Sequence, residues 1–333
     1  MKTLQCAKDY INWYRLKNGQ KPLYPDAIQN TAGSDGGFLV SASPTDTAAL
    51  TQAVADVSIF YKLCRKIPIT EGENTMNLPA FAETSRANGS RYGGVRVYWT
   101  SEGVTVTATQ PKLRNIFLKL EKLLAITPSI SNELLADAST LSAWLLRAFA
   151  GDSAFKFDEA FVNGSGNGQM LGILNCPALI VAPSNAASLG AEDLYNMWGR
   201  RARGKSDYIW ICNPELEKII AEIIANEGGS IADALTIFGR PVIPCETCSE
   251  AGTLGDLVLC SPSDYIVAEL GEITMESSGH TQGFLSDSSV VKIRWRINGT
   301  PYSHLPTVPY NGTVLTSPYV TLNTRGVSTT AEA

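Results

Sequence analysis

Histidine is almost missing from this chain of 333 residues, which carries only His280 and His304. Two imidazoles offer little for acid–base catalysis or metal binding, and we expect both to have ordinary polar roles. The sequence also lacks the run of ~18 apolar residues that a membrane-spanning helix needs. Its N-terminus lacks the apolar core of a signal peptide. These absences predict a protein that is kept in cytosol-like conditions and has no membrane partner.

An excess of basic residues is missing as well, because 27 lysines and arginines stand against 32 aspartates and glutamates and the formal net charge is -5. General affinity for nucleic-acid phosphates needs clustered basic side chains. The densest basic run spans residues 200–205 and is short and isolated, so we expect a solvated loop there. The composition therefore argues against a dedicated nucleic-acid-binding protein.

The sequence motifs of several large enzyme classes are absent too, including the phosphate-binding P-loop, the GxSxG elbow and the HExxH zinc motif. The glycine-rich segment 164–168 lacks the third glycine of a dinucleotide-binding loop. It also follows a predicted helix, whereas such a loop follows a strand. We therefore interpret this segment as a chain reversal, and we expect neither a cofactor nor enzymatic activity.

The seven cysteines are scattered and odd in number, which is typical of free thiols in a reducing compartment. Cys245 and Cys248 form a CxxC motif, the spacing of a zinc knuckle or a redox dithiol. No second ligand pair accompanies them, and Cys260 alone would leave zinc one ligand short. Pro244 and the predicted strand-to-loop context do not fit the helix N-terminus of a redox enzyme. A thiol or zinc enzyme using residues 245–248 remains an alternative of another class.

Hydrophobic residues make up 44% of the chain and charged residues 18%, as in folded proteins. The clearest helical pattern covers residues 139–162, where apolar positions recur close to the 3.6-residue period. Helices and strands mix without regular βαβ alternation, which favours the α+β class. Further helices are predicted over 45–64, 194–201 and 214–226, and strands over 208–212, 241–243 and several segments of 256–322. The stripe of the long helix comprises Leu141, Leu145, Ala148, Phe149, Ala154, Phe155 and Phe161.

Residues 73–111 contain two alternating runs separated by a glycine-rich cluster, a pattern that predicts a long hairpin with a loose tip. Such a ribbon is only marginally stable by itself, so we expect it to lie on another surface. Residues 112–127 fit the helical and the strand period equally well, and residues 31–44 favour an extended segment. The second run of the hairpin comprises Val95, Val97, Trp99, Val104, Val106 and Ala108.

Nine short segments together resemble the major capsid protein of tailed bacteriophages, of the Hong Kong 97 type. Each segment is weak alone, but their common order over nearly 290 residues is specific. They are GGFLV (36–40), SNELLAD (131–137), FDEAFVNGSGNGQMLGIL (157–174), WICNPEL (210–216), FGRPVI (238–243), GD (255–256), ESSGHTQGF (276–284), RINGTP (296–301) and SPYVTL (317–322).

The resemblance implies a capsid fold with an arm, an extended loop, a peripheral domain and an axial domain. It also resolves residues 112–127 in favour of strands. The implied boundaries are an N-terminal arm (1–44), the first part of the peripheral domain (45–72), the extended loop (73–111), the peripheral domain with its spine helix at 139–162 (112–177), the axial domain (178–262), returning peripheral strands (263–302) and a partly axial C-terminal segment (303–333).

The same resemblance implies a structural protein that assembles as pentamers and hexamers into an icosahedral phage head around double-stranded DNA. Implied partners are other copies of the chain, a scaffolding protein, a portal and a decoration protein, with assembly in the bacterial host cytoplasm. We expect the arm and loop to form subunit interfaces, while a role in the chain's own core or in solvent stays open for each residue. The candidates are Phe38, Leu39, Arg86, Arg91, Val95, Arg96, Val97 and Trp99.

Two departures from the family pattern limit what the resemblance implies. Some members join subunits by an isopeptide bond from a lysine near the loop tip, but residues 84–103 contain arginines and no lysine. We therefore expect shells without that bond. Some members also carry a scaffolding segment before the arm, and here we expect a separate or already removed scaffold. An encapsulin-like bacterial nanocompartment is the nearest alternative function.

Overall fold

The computed structural model describes residues 47–70, 73–137, 139–184, 188–205, 207–226, 236–278 and 286–325. The predicted extended segment at 31–44, with Phe38 and Leu39, lies outside these residues. The helices are α1 (Thr47–Val57), α2 (Asn132–Asp137), α3 (Ser139–Asn163), α4 (Ala191–Gly199) and α5 (Glu217–Asn226), with short 3-10 turns at Ile173–Asn175, Pro214–Leu216 and Pro262–Asp264. No helix among these residues combines the length and apolar character needed to cross a membrane.

The strands confirm the mixed α+β class. They are β1 (Arg65–Pro68), β2 (Thr75–Phe81), β3 (Leu113–Lys119), β4 (Glu121–Ile126), β5 (Ile130–Ser131), β6 (Ile180–Ala182), β7 (Ile209–Cys212), β8 (Thr236–Ile237), β9 (Arg240–Pro244), β10 (Leu257–Cys260), β11 (Tyr265–Glu269), β12 (Thr274–Ser278), β13 (Ser288–Pro301) and β14 (Tyr319–Leu322). The ambiguous residues 112–127 are strands, as the resemblance implied.

The first sheet is organised around β13, which is 14 residues long. Along one edge of β13 lie β11 and β12, and along the other lie β4 and β5, all antiparallel to it. Strand β1 extends the sheet by pairing in parallel with β11. Alternate side chains of β13 are buried, including Ile293, Trp295 and Ile297. One face of this sheet therefore belongs to the core.

Helix α3 covers the buried face of the first sheet, and the predicted helix at 139–162 is thus present. The ring of Phe157 stacks on Trp295 with centroids 6.0 Å apart, and Phe161 stacks on Phe60 at 4.5 Å. The predicted apolar stripe is partly wrong, because Ala148 and Phe155 are exposed. The sheet contacts the face of α3 that contains Phe157. On the 3.6-residue period, Ala148 and Phe155 lie roughly half a turn around the helix from Phe157.

The second sheet has the strand order β6–β14–β10–β7–β9–β8 and combines parallel and antiparallel pairs. Every residue of β7, β10 and β14 is buried. Helices α4 and α5 contribute Leu194, Met197 and Ile220 to the hydrophobic cluster on this sheet. The C-terminal strand β14 lies in the middle of a sheet whose other strands come from residues 180–260, so distant segments of the chain close this layer.

Strands β2 and β3 form a separate antiparallel ribbon, with register from Thr75 opposite Lys119 to Phe81 opposite Leu113. The predicted second strand over 95–108 is wrong, because residues 96–112 contain no strand. Ile116 is buried against the end of the first sheet near Ile266, whereas residues 95–108 meet no such surface among the described residues. Burial therefore selects the pairing, and local alternation does not.

Helix α1 also ends earlier than the predicted span of 45–64. The chain turns after Val57, and the Ser58 hydroxyl and the Ile59 amide both donate hydrogen bonds to the carboxylate of Asp158 on α3. If α1 continued, the Ile59 amide would donate to the carbonyl four residues earlier instead of to Asp158. A side chain 100 residues away in sequence thus determines where the helix stops.

Candidate subunit interface

The segment between β2 and β3, residues 82–112, is the most exposed part of the described chain and carries most of the predicted interface residues. Its base is fixed by backbone hydrogen bonds from Ala82 N–H to Lys112 O (3.0 Å) and from Lys112 N–H to Gly93 O (2.8 Å). Beyond this base, the chain runs out to a turn at Ser101 and Val104 and returns. We call residues 94–110 the finger.

The finger exposes large apolar side chains. Val97 is 94% exposed, and Trp99 is fully exposed. Val95, Val104 and Val106 are exposed as well. Isolated exposed apolar residues are ordinary, but a contiguous group of this kind is typical of an interaction surface. The structure thus brings three predicted residues, Val95, Val97 and Trp99, into one exposed element.

The backbone of the finger is almost unpaired. Among the described residues, the backbone hydrogen bond of residues 97–110 is the turn from Val104 N–H to Ser101 O at 3.4 Å. One side-chain contact crosses the finger, from Arg96 N–H to the Thr109 hydroxyl at 3.3 Å. Exposed amide and carbonyl groups of an extended chain are available to pair with another chain.

The three predicted arginines occupy different environments. Arg86 forms an ion pair with Glu83 of the same chain. Arg91 is exposed, and its backbone N–H donates to Val95 O at 3.0 Å. Arg96 is half-buried on the finger. Among the described residues, Arg91 and Arg96 form no ion pair, while the charge of Arg86 is already partnered by Glu83.

The base of this loop is also held by Val308 and Tyr310, two residues that the sequence did not indicate. Arg86 N–H donates to Val308 O at 2.8 Å, and Val308 N–H donates to Thr84 O at 3.0 Å. Gly89 lies beside the ring of Tyr310. This two-sided bridge joins segments more than 200 residues apart. No sequence pattern predicts this bridge, because a short pairing of two extended segments needs no run of alternating residues.

The outer face of the β2–β3 ribbon is a second apolar surface that sequence analysis missed. Phe81 and Leu113 lie opposite each other in the register, and both are exposed, as is Phe117. Leu113 and Phe117 are 63% and 62% exposed. Apolar and polar residues alternate in both strands. This alternation predicts an exposed apolar face only when the pairing of 75–81 with 113–119 is known.

The cysteine motif is buried away from this surface. Cys245 and Cys248 are unpaired thiols in a turn after β9, and four further described cysteines are also free. The part of the chain that the structure describes contains no group of three or more histidine, cysteine or acidic side chains placed to hold a metal ion. His304 is only partly buried, and burial lowers its pKa.

Comparison with known proteins assigns this architecture. A sequence model of the phage capsid family matches residues 36–311. No curated protein sequence matches the chain. The solved capsid of the empty GTA particle is 14% identical, has a TM-score of 0.62 and aligns over 90% of this chain and 100% of its own.

Two further solved structures extend the comparison. The protein of Mycobacterium phage Adephagia is 13% identical with a TM-score of 0.56, covering 89% of this chain and 98% of that one. The SrpI encapsulin of Synechococcus elongatus is 8% identical with a TM-score of 0.57, covering 84% and 92%. At these identities the structures establish the shared fold, and the family match covers most of the sequence. The chain therefore belongs to the phage capsid family and is the major capsid protein of a phage head with the Hong Kong 97 type of fold.

Proposed function

We propose that the finger of each subunit packs against a neighbouring copy of the chain and that this contact drives closure of the shell. The single observation that carries the proposal is the full exposure of Trp99 together with the unpaired backbone of residues 97–110. A Trp side chain buries ~150–250 Å² in a contact. At roughly 25 cal/mol per Å², this corresponds to about 4 to 6 kcal/mol of gross transfer free energy.

The finger has both means of binding that an extended segment uses. Its backbone groups can pair with another chain, and its alternate apolar side chains can enter pockets. Most of the gross free energy is offset by the loss of rigid-body freedom and the ordering of side chains. The net contribution of each contact is then small, and repetition over the shell makes the container durable. Arg91 and Arg96 add ion-pair donors to the same surface.

We further propose that the two sheets correspond to two capsid domains. The first sheet and α3 support a peripheral domain with α3 as its spine, at 112–177 and 263–302. The second sheet supports an axial domain at 178–262 that gathers into rings of five and six, with β14 joining it from the C-terminal segment. The related GTA capsid is described with C5 symmetry, which favours five-fold rings.

The interior content and the accessory partners belong to the same proposal. We propose that the shell encloses double-stranded DNA, assembles in the bacterial cytoplasm and uses a scaffolding protein, a portal and a decoration protein. The net charge of -5 supports a wall that does not hold the packaged DNA tightly. We also propose that the chain acts without catalysis, as a structural protein.

An encapsulin-like compartment is the second candidate, because an encapsulin shares the fold over 84% of this chain. The two candidates differ in what the shell contains. Nuclease-protected DNA in purified particles supports the phage head, and a packaged enzyme without DNA supports the compartment. The match of the family model over residues 36–311 favours the phage head.

The experiment that tests the contact replaces Trp99 by serine. Truncation of a central aromatic side chain in an interface costs 2 kcal/mol or more, which corresponds to roughly a 30-fold rise in the protein concentration needed for assembly. Light scattering and electron microscopy of a concentration series measure this threshold. Trp99→Phe keeps an apolar ring and is expected to retain most of the assembly.

The control is the stability of the unassembled chain. Because Trp99 is fully exposed within the subunit, Trp99→Ser is expected to change the free energy of unfolding by less than about 0.5 kcal/mol. Thr100→Ser, a polar change next to it, is expected to leave assembly unchanged. The proposal fails if Trp99→Ser assembles at the wild-type concentration, or if it loses its assembly only because the subunit unfolds.

A further inference from the structure

A tight turn brings Cys245 and Cys248 close to each other in the structure. Cys248 N–H donates to Cys245 O at 3.3 Å, so the two residues are the ends of a tight turn. The Cys245 sulfur lies 3.0 Å from the Thr247 hydroxyl oxygen. The ends of such a turn are within ~7 Å at Cα, and a disulfide spans ~4.4–6.8 Å.

The surrounding structure fixes this turn from two sides. The Asn163 side chain, at the end of α3, donates to Thr247 O at 2.6 Å. Cys245 N–H donates to Cys212 O at 2.8 Å, which continues the β7–β9 pairing. The turn therefore joins the long helix of the first sheet to the edge of the second sheet. The backbone of the turn is therefore held in place from both sides.

A groove gives access to this turn. It has a volume of about 530 Å³ and runs between α3, the end of α1 and the start of α5. Cys245 and Thr247 line it together with Phe155. The charged groups that face it are Asp158 from α3, Glu217 from α5 and Glu246 from the turn itself. A small molecule can approach Cys245 from here, although Cys248 lies behind it.

The described cysteines differ in acidity. The hydrogen bond from Cys248 lowers the pKa of Cys245 to about 7, and Thr247 contributes in the same direction. The same contact and burial raise the pKa of Cys248. Burial raises the pKa of Cys176 to about 11 and that of Cys212 to about 12. Thiolate is the reactive form of cysteine, so Cys245 is expected to be more reactive than Cys176, Cys212 and Cys248.

We propose that Cys245 and Cys248 form a redox-active dithiol that low-molecular-weight disulfides oxidise to an intrachain disulfide. Cys245 is the attacking residue and Cys248 the resolving residue. This site goes beyond shell formation, and nothing in the capsid function requires it. It also differs from a thiol enzyme, because the chain itself is the substrate that is oxidised.

The chemistry balances without a metal or a cofactor. The Cys245 thiolate attacks one sulfur of a small disulfide, the sulfur–sulfur bond breaks, and one small thiolate leaves. Cys248 then gives up its proton and attacks the Cys245 sulfur, which releases the second small thiolate. The chain loses two electrons and two protons, and the small disulfide is reduced to two thiols.

Oxidation would form a disulfide within this turn, which lies where α3 contacts the second sheet. A particle that leaves a cell passes from a reducing into an oxidising compartment. The turn would then be a dithiol while shells form and a disulfide afterwards. This consequence rests on the shell function, whereas the thiol chemistry itself can be tested on the full chain before any assembly.

The test uses the full chain, purified with reductant, desalted and incubated with oxidised glutathione at pH 7.5. Acid quenching, alkylation after denaturation and peptide mass spectrometry then locate the oxidised cysteines. We expect the peptide with Cys245 and Cys248 to lose two hydrogens while Cys176 and Cys212 remain alkylatable. Oxidation spread over several cysteines, or an unchanged 245–248 peptide, would overturn the proposal.

Brief labelling of the wild-type chain with iodoacetamide gives a second measurement that needs no variant. From the two pKa values and the lower nucleophilicity of more acidic thiols, Cys245 is expected to react on the order of 30-fold faster than Cys176. Equal rates at the two positions would contradict the assignment of Cys245 as the attacking thiol.

Variants separate the two roles. Cys248→Ser is expected to stop at a single glutathione adduct on Cys245, because the resolving thiol is missing. Cys245→Ser is expected to leave Cys248 unreacted, since that thiol is buried and protonated. Cys176→Ser is the matched control, and its 245–248 peptide should be oxidised as in the wild type. A Cys248→Ser chain that forms no adduct while remaining folded by circular dichroism would refute the mechanism.

Discussion

Asp158 is a buried carboxylate that joins α3 to the end of α1. Its oxygens accept hydrogen bonds from the Ser58 hydroxyl at 2.7 Å, from Ile59 N–H at 3.1 Å and from Phe60 N–H at 3.4 Å. The side chain thus satisfies the donors of the turn that follows α1. A single residue of the long helix therefore holds the end of α1 in place.

The titration of Asp158 predicts a measurable pH effect. Burial raises its pKa above the ordinary 3.8, and its hydrogen bonds oppose only part of that rise. Between 3.8 and the raised native pKa, the native state binds more protons than the unfolded state. A fall in pH through this window therefore adds to the free energy of unfolding. Asp158→Asn does not titrate, so urea unfolding should show a smaller gain on acidification than in the wild type.

Asp256 provides the internal control for this comparison. Burial raises its pKa too, and it remains in both proteins, so its contribution cancels in the difference. Curves of unfolding free energy against pH that run parallel for the wild type and Asp158→Asn would show that the native pKa of Asp158 is not raised.

At the scale of an element, α3 contains a weak point at Gly151. A Cβ added there would meet no described atom within 4 Å outside the helix's own backbone, and the position lies inside a helix of 25 residues. Glycine in a helix interior is less stable than alanine by roughly 0.5–1 kcal/mol. We expect Gly151→Ala to raise the free energy of unfolding by about that amount, measured by urea unfolding.

Gly164, just after the end of the same helix, is the contrasting case. A Cβ there would lie 2.1 Å from Met170 O and 2.4 Å from Ala160 O, and both are backbone atoms that cannot move aside. Gly164→Ala should therefore destabilise the protein strongly. If Gly151→Ala also destabilises it, the groove beside α3 must be filled in solution by a group that the added methyl displaces.

The β2–β3 ribbon shows how one element serves two surfaces. Ile116 and Leu118 pack inward on the end of the first sheet, while Leu113 and Phe117 remain exposed on the other face. The subunit stabilises the base of the ribbon, and the finger beyond it has no partner among the described residues. In the proposed function, assembly acts on this part of the loop, which the described subunit fold leaves unsupported.

At the scale of the whole molecule, the loop composition predicts a shell held together without isopeptide bonds. The tip at residues 84–103 contains Arg86, Arg91 and Arg96 but no lysine, and a guanidinium does not form that bond. Shells boiled in SDS with reductant should release the capsid protein as a single band at the chain mass of 35.8 kDa. A reductant-resistant ladder of linked subunits in gel electrophoresis and mass spectrometry would contradict this prediction.

The sequence by itself determined the elements that depend on local order and the identity of the family. The helix at 139–162, the strands at 208–212 and 241–243 and the α+β class all followed from periodicity and turn residues. The ordered segments from 36–40 to 317–322 indicated the capsid fold, which the family match confirms. These features depend on neighbouring residues or on short motifs, so they can be predicted from a single sequence.

Only the tertiary structure decided which surfaces meet. The partner of β2 is 113–119, because Ile116 is buried there, whereas the alternating residues 95–108 meet no buried surface in the part of the chain that the structure describes. The bridge at Val308 depends on segments that are far apart in sequence. The lowered pKa of Cys245 depends on Cys248, which folding brings close to it in the same turn. Pairing, burial and pKa arise from atoms brought together by folding, and periodicity along the chain does not contain them.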